Sequence, residues 1–566
     1  MVLVAAVPAV WMAGRRAARG DVPRWVALGF WVVAVWQTMG MRFQATVPSF
    51  AWLWHPLVLE PAYLYWLMDG WNWYISSLLL LLGGVALLLG GFGVPVSQLS
   101  TRRDRLEHAT VLMSYLGLMA AGLLFVNSGN LLTLTLTWVV MDLVLLLRYA
   151  LVPHAESPTD GKAPLGTAYR AQGFSLLGAL LLLIGLLPAG PSGPGQPLLG
   201  GTLPIETVML MLLAGAVRAG AYPFHLWLLP SPRRHLRLAD RFVDHMVPAL
   251  AGLWLLGWAS ALGRATALLW RQEFVALVLM AFLASAVAAF TATEKPGHTT
   301  FVLITSVGSA AITSIFAEAS GPAAVLWPTT VFALAGGLWL VGERIWQEWG
   351  WQLPVSLGAL ALLGVPFTPG FFTQSAVARL LSGQFLGSLV LPFFLLFLMA
   401  QTFFVAALLR SWGAPGPQQP FQGVSGLMWG LLFSSIILAI PLVIAGIFPQ
   451  VLTRLVGLRE AIPADVGTPP SAVAGPPVWV TMGIPLVLGI GLALLRQSLF
   501  RTITGSLGNW PRRFSLLFGL DWLSMGMDRA MRGMTTVWDN GLAVLEGTGH
   551  LGWVLVFVAM GVLFFL

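Results

Sequence analysis

The sequence has no cysteine, almost no lysine and few charges of either sign. The missing cysteine excludes disulfides, thiolate zinc sites, cysteine-ligated iron–sulfur clusters and cysteine nucleophiles. Charged residues make up 9% of the 566 positions, against the roughly 25% that cover an ordinary soluble domain. Such a chain cannot face water all round. What it has instead is 57% hydrophobic residues, a mean hydropathy of +0.83, 26 tryptophans and 62 glycines. Tryptophan favours membrane interfaces, and glycine is common in transmembrane helices. The solvent that suits this composition is a bilayer. In a soluble protein the net charge of +8 would point to nucleic acid. Here it reads as basic loops that hold orientation, so no nucleic-acid partner is expected. The basic residues are nearly all arginine; the lysines are Lys162 and Lys295. Also missing are a phosphate-cradling glycine loop after a strand, an HExxH pair and a Ser/His/Asp arrangement with a supporting frame. No catalytic residue, metal site, cofactor or catalytic domain is expected.

The N-terminus, MVLVAAVPAVWMAGRRAARG, is apolar and then basic. A secretory signal has the reverse order, so this stretch reads as a first, short spanning helix. About 20 apolar residues span a bilayer, and on that basis the chain holds roughly sixteen spans. With the N-terminus outside, every second connection carries most of the basic residues, among them Arg15, Arg16, Arg102, Arg103, Arg105, Arg233, Arg234, Arg237, Arg241, Lys295, Arg344 and Arg410. The opposite connections hold fewer, such as Arg42, Arg264 and Arg454. The positive-inside rule then puts both termini outside the cytoplasmic (inner) membrane of a bacterium or archaeon.

Two spans are interrupted. One breaks at Pro223 in RAGAYPFH; the other breaks in LLGVPFTPGFFTQ, at Gly364, Pro366, Pro369 and Gly370. Each is the fourth span of a five-span block, and paired broken helices in corresponding positions point to inverted repeats with an ion site at each break. The expected organisation is N-terminal helices over 1–108, a first bundle over 109–262, a second over 272–410, and C-terminal helices over 411–566. Within the last, residues 502–548 interleave charges with Trp, Leu and Met and read as an amphipathic segment, followed by a final span. His108, His154 and His235 sit in polar connections and read as solvated.

Ionisable groups inside a bilayer are costly and therefore candidates for function. Asp142 lies mid-helix. Arg218 precedes the Pro223 break and His225 follows it; Asp244 and His245 open the next span. The second block is sparser, with Lys295 and His298 at the start of a helix and Gln374 after the second break. Aspartate and histidine can exchange protons; arginine cannot, because its pKa exceeds about 12. Arg218 is therefore a fixed charge. It either tunes Asp142 and His225 or forms an ion pair with Asp142 that only neutralises itself.

The stretch GAVRAGAYPFHLWLLP, Gly215 to Pro230, resembles the signature of the antiporter-like membrane subunits of respiratory complex I, relatives of multi-subunit Na+/H+ antiporters and membrane-bound hydrogenases. In that family a lysine precedes a small residue and then P-x-H-x-W-L-P; here Pro223, His225 and Trp227 match, with Arg218 at the lysine position. LYWLMDGWNWYISSLLLL, with Asp69-Gly70, resembles the family's third-helix start. NLLTLTLTWVVMDL resembles the fifth helix, with Asn130, Leu131 and Trp138, and LLGVPFTPGFFTQ the twelfth. The likeness covers roughly 70–480. It implies an all-α polytopic membrane protein of about 14–16 transmembrane helices, with two inverted five-helix repeats containing broken helices and an extended C-terminal segment.

The departures concern titratable groups. Val139 stands where the family's glutamate follows the tryptophan, and Asp142, three residues on, falls near the same helix face. Arg218 and Gln374 replace lysines, and LWPTTVFAL, near 326–334, lacks the central lysine and histidines. The resemblance implies a non-catalytic, proton-translocating or ion-coupling subunit of a multi-subunit, complex I-like NADH-quinone oxidoreductase or related energy-converting complex in the plasma membrane. Its partners would be other membrane and peripheral subunits, lipid, and protons or Na+, and its proton-channel residues are degenerate. Two rivals stand beside that reading. One is the membrane subunit of a proton-driven inorganic-carbon transporter paired with a cytoplasmic zinc protein, docked on 229–241 and 502–548. The other is a structural subunit that no longer conducts.

Overall fold

The computed structural model describes most of residues 1–507, apart from 17–19, 45, 55–61, 95, 152–162, 191–194, 200–202, 229–236, 263–270, 293–294, 317–320, 382–387, 413–425 and 459–475. Beyond 507 it describes isolated helical and turn positions between 517 and 536. Two compact units result, Met1–Gly519 and Leu520–Leu566. His154, His235, most of the 502–548 segment and the expected final span at 549–566 lie outside the described residues.

The first unit is helical. Its helices are α1 (Val2–Arg16), α2 (Val22–Met41), α3 (Gly70–Phe92), α4 (Arg102–Val126), α5 (Leu131–Leu151), α6 (Ala163–Ala189), α7 (Ile205–Ala219), α8 (Leu238–Leu262), α9 (Arg271–Thr291), α10 (Lys295–Phe316), α11 (Gly321–Trp349), α12 (Leu353–Leu363), α13 (Pro369–Leu381), α14 (Val390–Trp412), α15 (Gly426–Ile447), α16 (Pro449–Val456) and α17 (Pro476–Leu507). Among the described residues ten helices are long and apolar enough to cross a membrane: α3, α4, α5, α6, α8, α9, α10, α11, α14 and α15. The chain is an all-α polytopic membrane protein. Some of the other expected spans are shorter helices, and the one at 549–566 lies outside the described residues. The breaks divide two of them into shorter pieces, α7 and its following turn and the α12–α13 pair, and α1 has only 15 residues.

Local chemistry sets the helix starts. Thr101 and Asp104 close a capping box on α4, and Asp69 caps α3 by accepting from the Asn72 backbone N–H at 2.8 Å. Between α2 and α3 lies a feature the sequence reading did not foresee, an antiparallel hairpin of β1 (Ser49–Trp54) and β2 (Ala62–Leu67). Its Trp66 bridges to Ser128 after α4, and Asn130 bridges to Pro197 after α6. Arg42, after α2, donates to the Leu455 carbonyl at 2.6 Å. These contacts gather alternate helix ends at one end of the bundle. At the other, Lys295 meets Glu343, Arg241 meets Thr299, and Arg410 meets the Ala292 carbonyl. Arg241, Lys295 and Arg410 thus gather near Glu343.

Close helix packing rests on small residues. A Cβ on Gly252 of α8 would lie 2.1 Å from the Ala219 backbone nitrogen of α7, and one on Gly14 of α1 would lie 2.6 Å from Ala109 of α4. Small residues let membrane helices approach to backbone contact. The α7–α8 approach fixes where Arg218 sits.

Candidate buried-charge site

Helix α5 delivers Asp142 and Trp138 to one face, four residues apart. α7 delivers Arg218 in its last turn. Asp142 Oδ1 accepts from Arg218 Nη1 at 2.6 Å and from the Ser175 hydroxyl of α6 at 2.7 Å. Arg218 also donates to Ser175 Oγ at 3.1 Å and to the Trp138 carbonyl at 3.2 Å, and its guanidinium lies 4.2 Å from the Trp138 ring centre. Both charged side chains are 3% exposed or less. An isolated charge here would be untenable; one bond joins the pair, Ser175 and the Trp138 carbonyl add to it, and Arg218 Nε has no partner among the described residues. Asp142, Ser175, Arg218 and Trp227 border a cavity of about 10 Å³, room for one water molecule at most. Val139 does not share this face as expected: it is 53% exposed. Three residues on a helix turn the side chain by about 60°, enough to separate the two positions here.

The break after α7 begins at Gly220, whose φ of 68° suits glycine. Tyr222–Pro223 is cis, and a short turn, Phe224–Trp227, follows. The Trp227 indole donates back to the Val217 carbonyl at 3.0 Å, anchoring that turn to α7. His225 is fully buried, stacked on Tyr222 at 4.9 Å and edge-on to Phe301 of α10 at 5.2 Å. The second break is built alike. α12 ends at Gly364 with φ 80°, Phe367 has φ 67°, and α13 restarts at Pro369. Pro366 lies between the two half-helices, and Gly370 packs against the Ala361 carbonyl. Gln374 is buried, and a Cβ on Gly364 would lie 2.5 Å from its Cγ. The first break is flanked by an ion pair, and the second by a neutral amide.

Asp244 and His245 lie in a π-helical turn of α8, Phe242–Met246, a local irregularity that often marks function. His245 packs on Phe332 of α11, at 6.4 Å between ring centres. Asp244 instead bonds Arg148 in the last turn of α5. Arg148 also binds Asp240 at 2.6 Å and Ser114 at 2.6 Å. The sequence reading missed this arginine and Asp240. The available signal was an arginine buried in the apolar run LVLLLRYAL. Lys295 reaches Glu343 at 3.6 Å but is half exposed, and His298 Nδ1 lies 2.9 Å from the Ala289 carbonyl. These residues stand apart from the Asp142–Arg218 pair. His108 is buried rather than solvated, because the start of α4 is covered by α1. Among the described residues no three His, Asp or Glu side chains form a metal-holding group.

No family model matches the sequence. No curated protein matches it. The fold is similar to that of a chain in the Mrp complex from Dietzia sp. DQ12-45-1b. The superposition has a TM-score of 0.67 at 16% identity and covers 100% of this chain. The chain spans 63% of that neighbour's length. At this identity the likeness establishes the fold; function has to be argued from the buried charges.

Proposed function

We propose that the chain is an antiporter-like membrane subunit of a multi-subunit complex, and that it moves protons or couples ion movement through Asp142, Arg218, His225, Asp244 and His245. The observation that carries the reading is the Asp142–Arg218 pair, buried beside a broken helix in a chain with little other charge. Such a pair is retained in a bilayer at considerable cost. The neighbouring fold from the Mrp complex supports a place among companion subunits. So does the resemblance to multi-subunit antiporters and complex I.

Arginine holds its proton, so Arg218 acts as a fixed cation. It bonds the Asp142 side chain and repels a second positive charge nearby. Proton transfer falls to carboxylates and imidazoles. His225 faces α10, between the two blocks, and His245 faces α11. The blocks 109–262 and 272–410 are proposed as inverted repeats, each with its break in the fourth span, and the basic helix ends as cytoplasmic. One specific observation favours the non-conducting rival: Gln374 offers the second break no titratable group.

The test is ion movement in native membrane vesicles that contain the full complex, followed with a pH-sensitive dye. Asp142→Asn and His225→Ala are each expected to abolish coupled movement while the chain remains in the membrane. Undiminished movement in both variants would refute the pathway.

A further inference from the structure

The start of α4 and the end of α5 border a cleft of about 510 Å³, lined by Arg102, Arg103, Leu106, Glu107, Thr110 and Leu151. It lies at the end of the bundle where basic residues gather. Arg148, in the last turn of α5, bonds Asp240 at the start of α8, and the next residue, Arg241, meets Thr299 near the start of α10. No group of the proposed ion pathway lines it. Its rim is charged and its floor is apolar. Thr110 gives its hydroxyl proton back to the Leu106 carbonyl at 2.8 Å.

The charges of the rim are unequally used. Arg103 gives its Nε to Glu107 at 2.9 Å, and its side chain is 87% exposed. Asp104 is committed to the capping box with Thr101, and Arg105 donates to the Ser100 carbonyl at 3.0 Å. That leaves Arg102, which is exposed and has neither an ion pair nor a hydrogen-bond partner among the described residues. A free guanidinium above an apolar floor suits an oxyanion that carries hydrocarbon. The floor also continues beyond the cleft. Leu151, Leu147, Leu143 and Val139 of α5 are all exposed, and their four-residue spacing makes them one ridge. From Leu151 to Val139 the helix covers about 18 Å, enough to cross one leaflet of a hydrocarbon core about 30 Å thick.

We propose that this cleft holds one anionic phospholipid, with its phosphate on Arg102 and Arg103 and an acyl chain along the ridge from Leu151 to Val139. Glu107 takes Nε of Arg103 and leaves the Nη groups to the phosphate. The ridge favours a lipid over a free phosphate, which has no hydrocarbon to lay on it. It also favours a lipid over a soluble partner, which could not follow the ridge into the bilayer. A zwitterionic headgroup carries its own cation and gains less from two arginines. Leu176 and Leu180 of α6 are exposed as well, but they do not line the cleft and represent ordinary lipid contact. The site needs no ion movement, so it stands or falls independently of the transport reading.

The test places the purified full chain in phosphatidylcholine nanodiscs with a trace of photoactivatable lipid, its diazirine on an acyl chain. The trace lipid is either phosphatidylglycerol or phosphatidylcholine, and peptide mass spectrometry locates the label. Phosphatidylglycerol is expected to label Leu147 and Leu151 more heavily than phosphatidylcholine does, while Leu176 and Leu180 take both equally. Relative to those two positions, Arg102→Gln is expected to lower the phosphatidylglycerol label at Leu151 about fivefold. Leu106→Trp, which fills the cleft and keeps both arginines, is expected to lower it too. Equal labelling by the two headgroups, or a preference that survives both variants, overturns the proposal. So does the absence of label from either lipid at Leu147 and Leu151, which would mean that protein covers the ridge.

Discussion

Removing one charge of the Arg218–Asp142 pair should cost more than removing both. Asp142→Asn strands a guanidinium that is 2% exposed. It keeps the Ser175 hydroxyl, the Trp138 carbonyl and the aromatic rings of Trp138 and Phe125. Losing one member of a buried pair costs about 3–5 kcal/mol, and these remaining partners favour the lower end, about 3 kcal/mol. Arg218→Gln strands the carboxylate with Ser175 as its remaining donor and removes packing over Trp138, again about 3 kcal/mol. The double variant leaves two neutral amides able to bond each other. Neutral replacement of a whole pair is near break-even, so the loss should be about 2 kcal/mol, mostly packing. The double variant is therefore less destabilised than the sum of the singles by about 4 kcal/mol. The measurement is denaturant unfolding of the purified full chain in mild detergent, followed by tryptophan fluorescence. Additivity to within about 0.5 kcal/mol would refute the reasoning, because it would mean that the two charges do not depend on each other.

Two further outcomes are open to direct measurement. Gly252→Ala pushes a methyl into the Ala219 backbone, which cannot give way as a side-chain end can. It should lower stability by about 1–3 kcal/mol or more, whereas Gly29→Ala in α2, with nothing within 4 Å, should be neutral or slightly stabilising; equal effects would mean that α7 and α8 do not touch there. Because the chain has no native cysteine, single cysteines report sidedness. Arg103→Cys and Lys295→Cys should react with an impermeant maleimide from the cytoplasmic face and Phe43→Cys from the opposite one. Reaction of all three from one face would overturn the proposed orientation.

The breaks were legible because their cause is local. Gly220 with Pro223, and Gly364 with Pro366 and Pro369, interrupt a helix whatever surrounds them. The Arg218–Asp142 contact was legible as one of two alternatives, since two opposite charges in one apolar block have few other partners. Arg148 was passed over because it stands near a helix end, where an arginine commonly snorkels to water. What turns it inward is Asp240 and Asp244, more than 90 residues away in sequence. The hairpin over 49–67 escaped because its strands are short, aromatic and joined to helices on both sides.

By itself the sequence determined the solvent of this protein, its helical class, the two points at which helices break and some of the charges buried in it. These follow from composition and from properties of a few neighbouring residues. The tertiary structure alone decided how those charges are shared. Asp142 has a whole arginine to itself, Asp240 and Asp244 divide another, and the second break has a neutral amide beside it. Charge balance depends on which side chains meet across helices, and no local pattern encodes that.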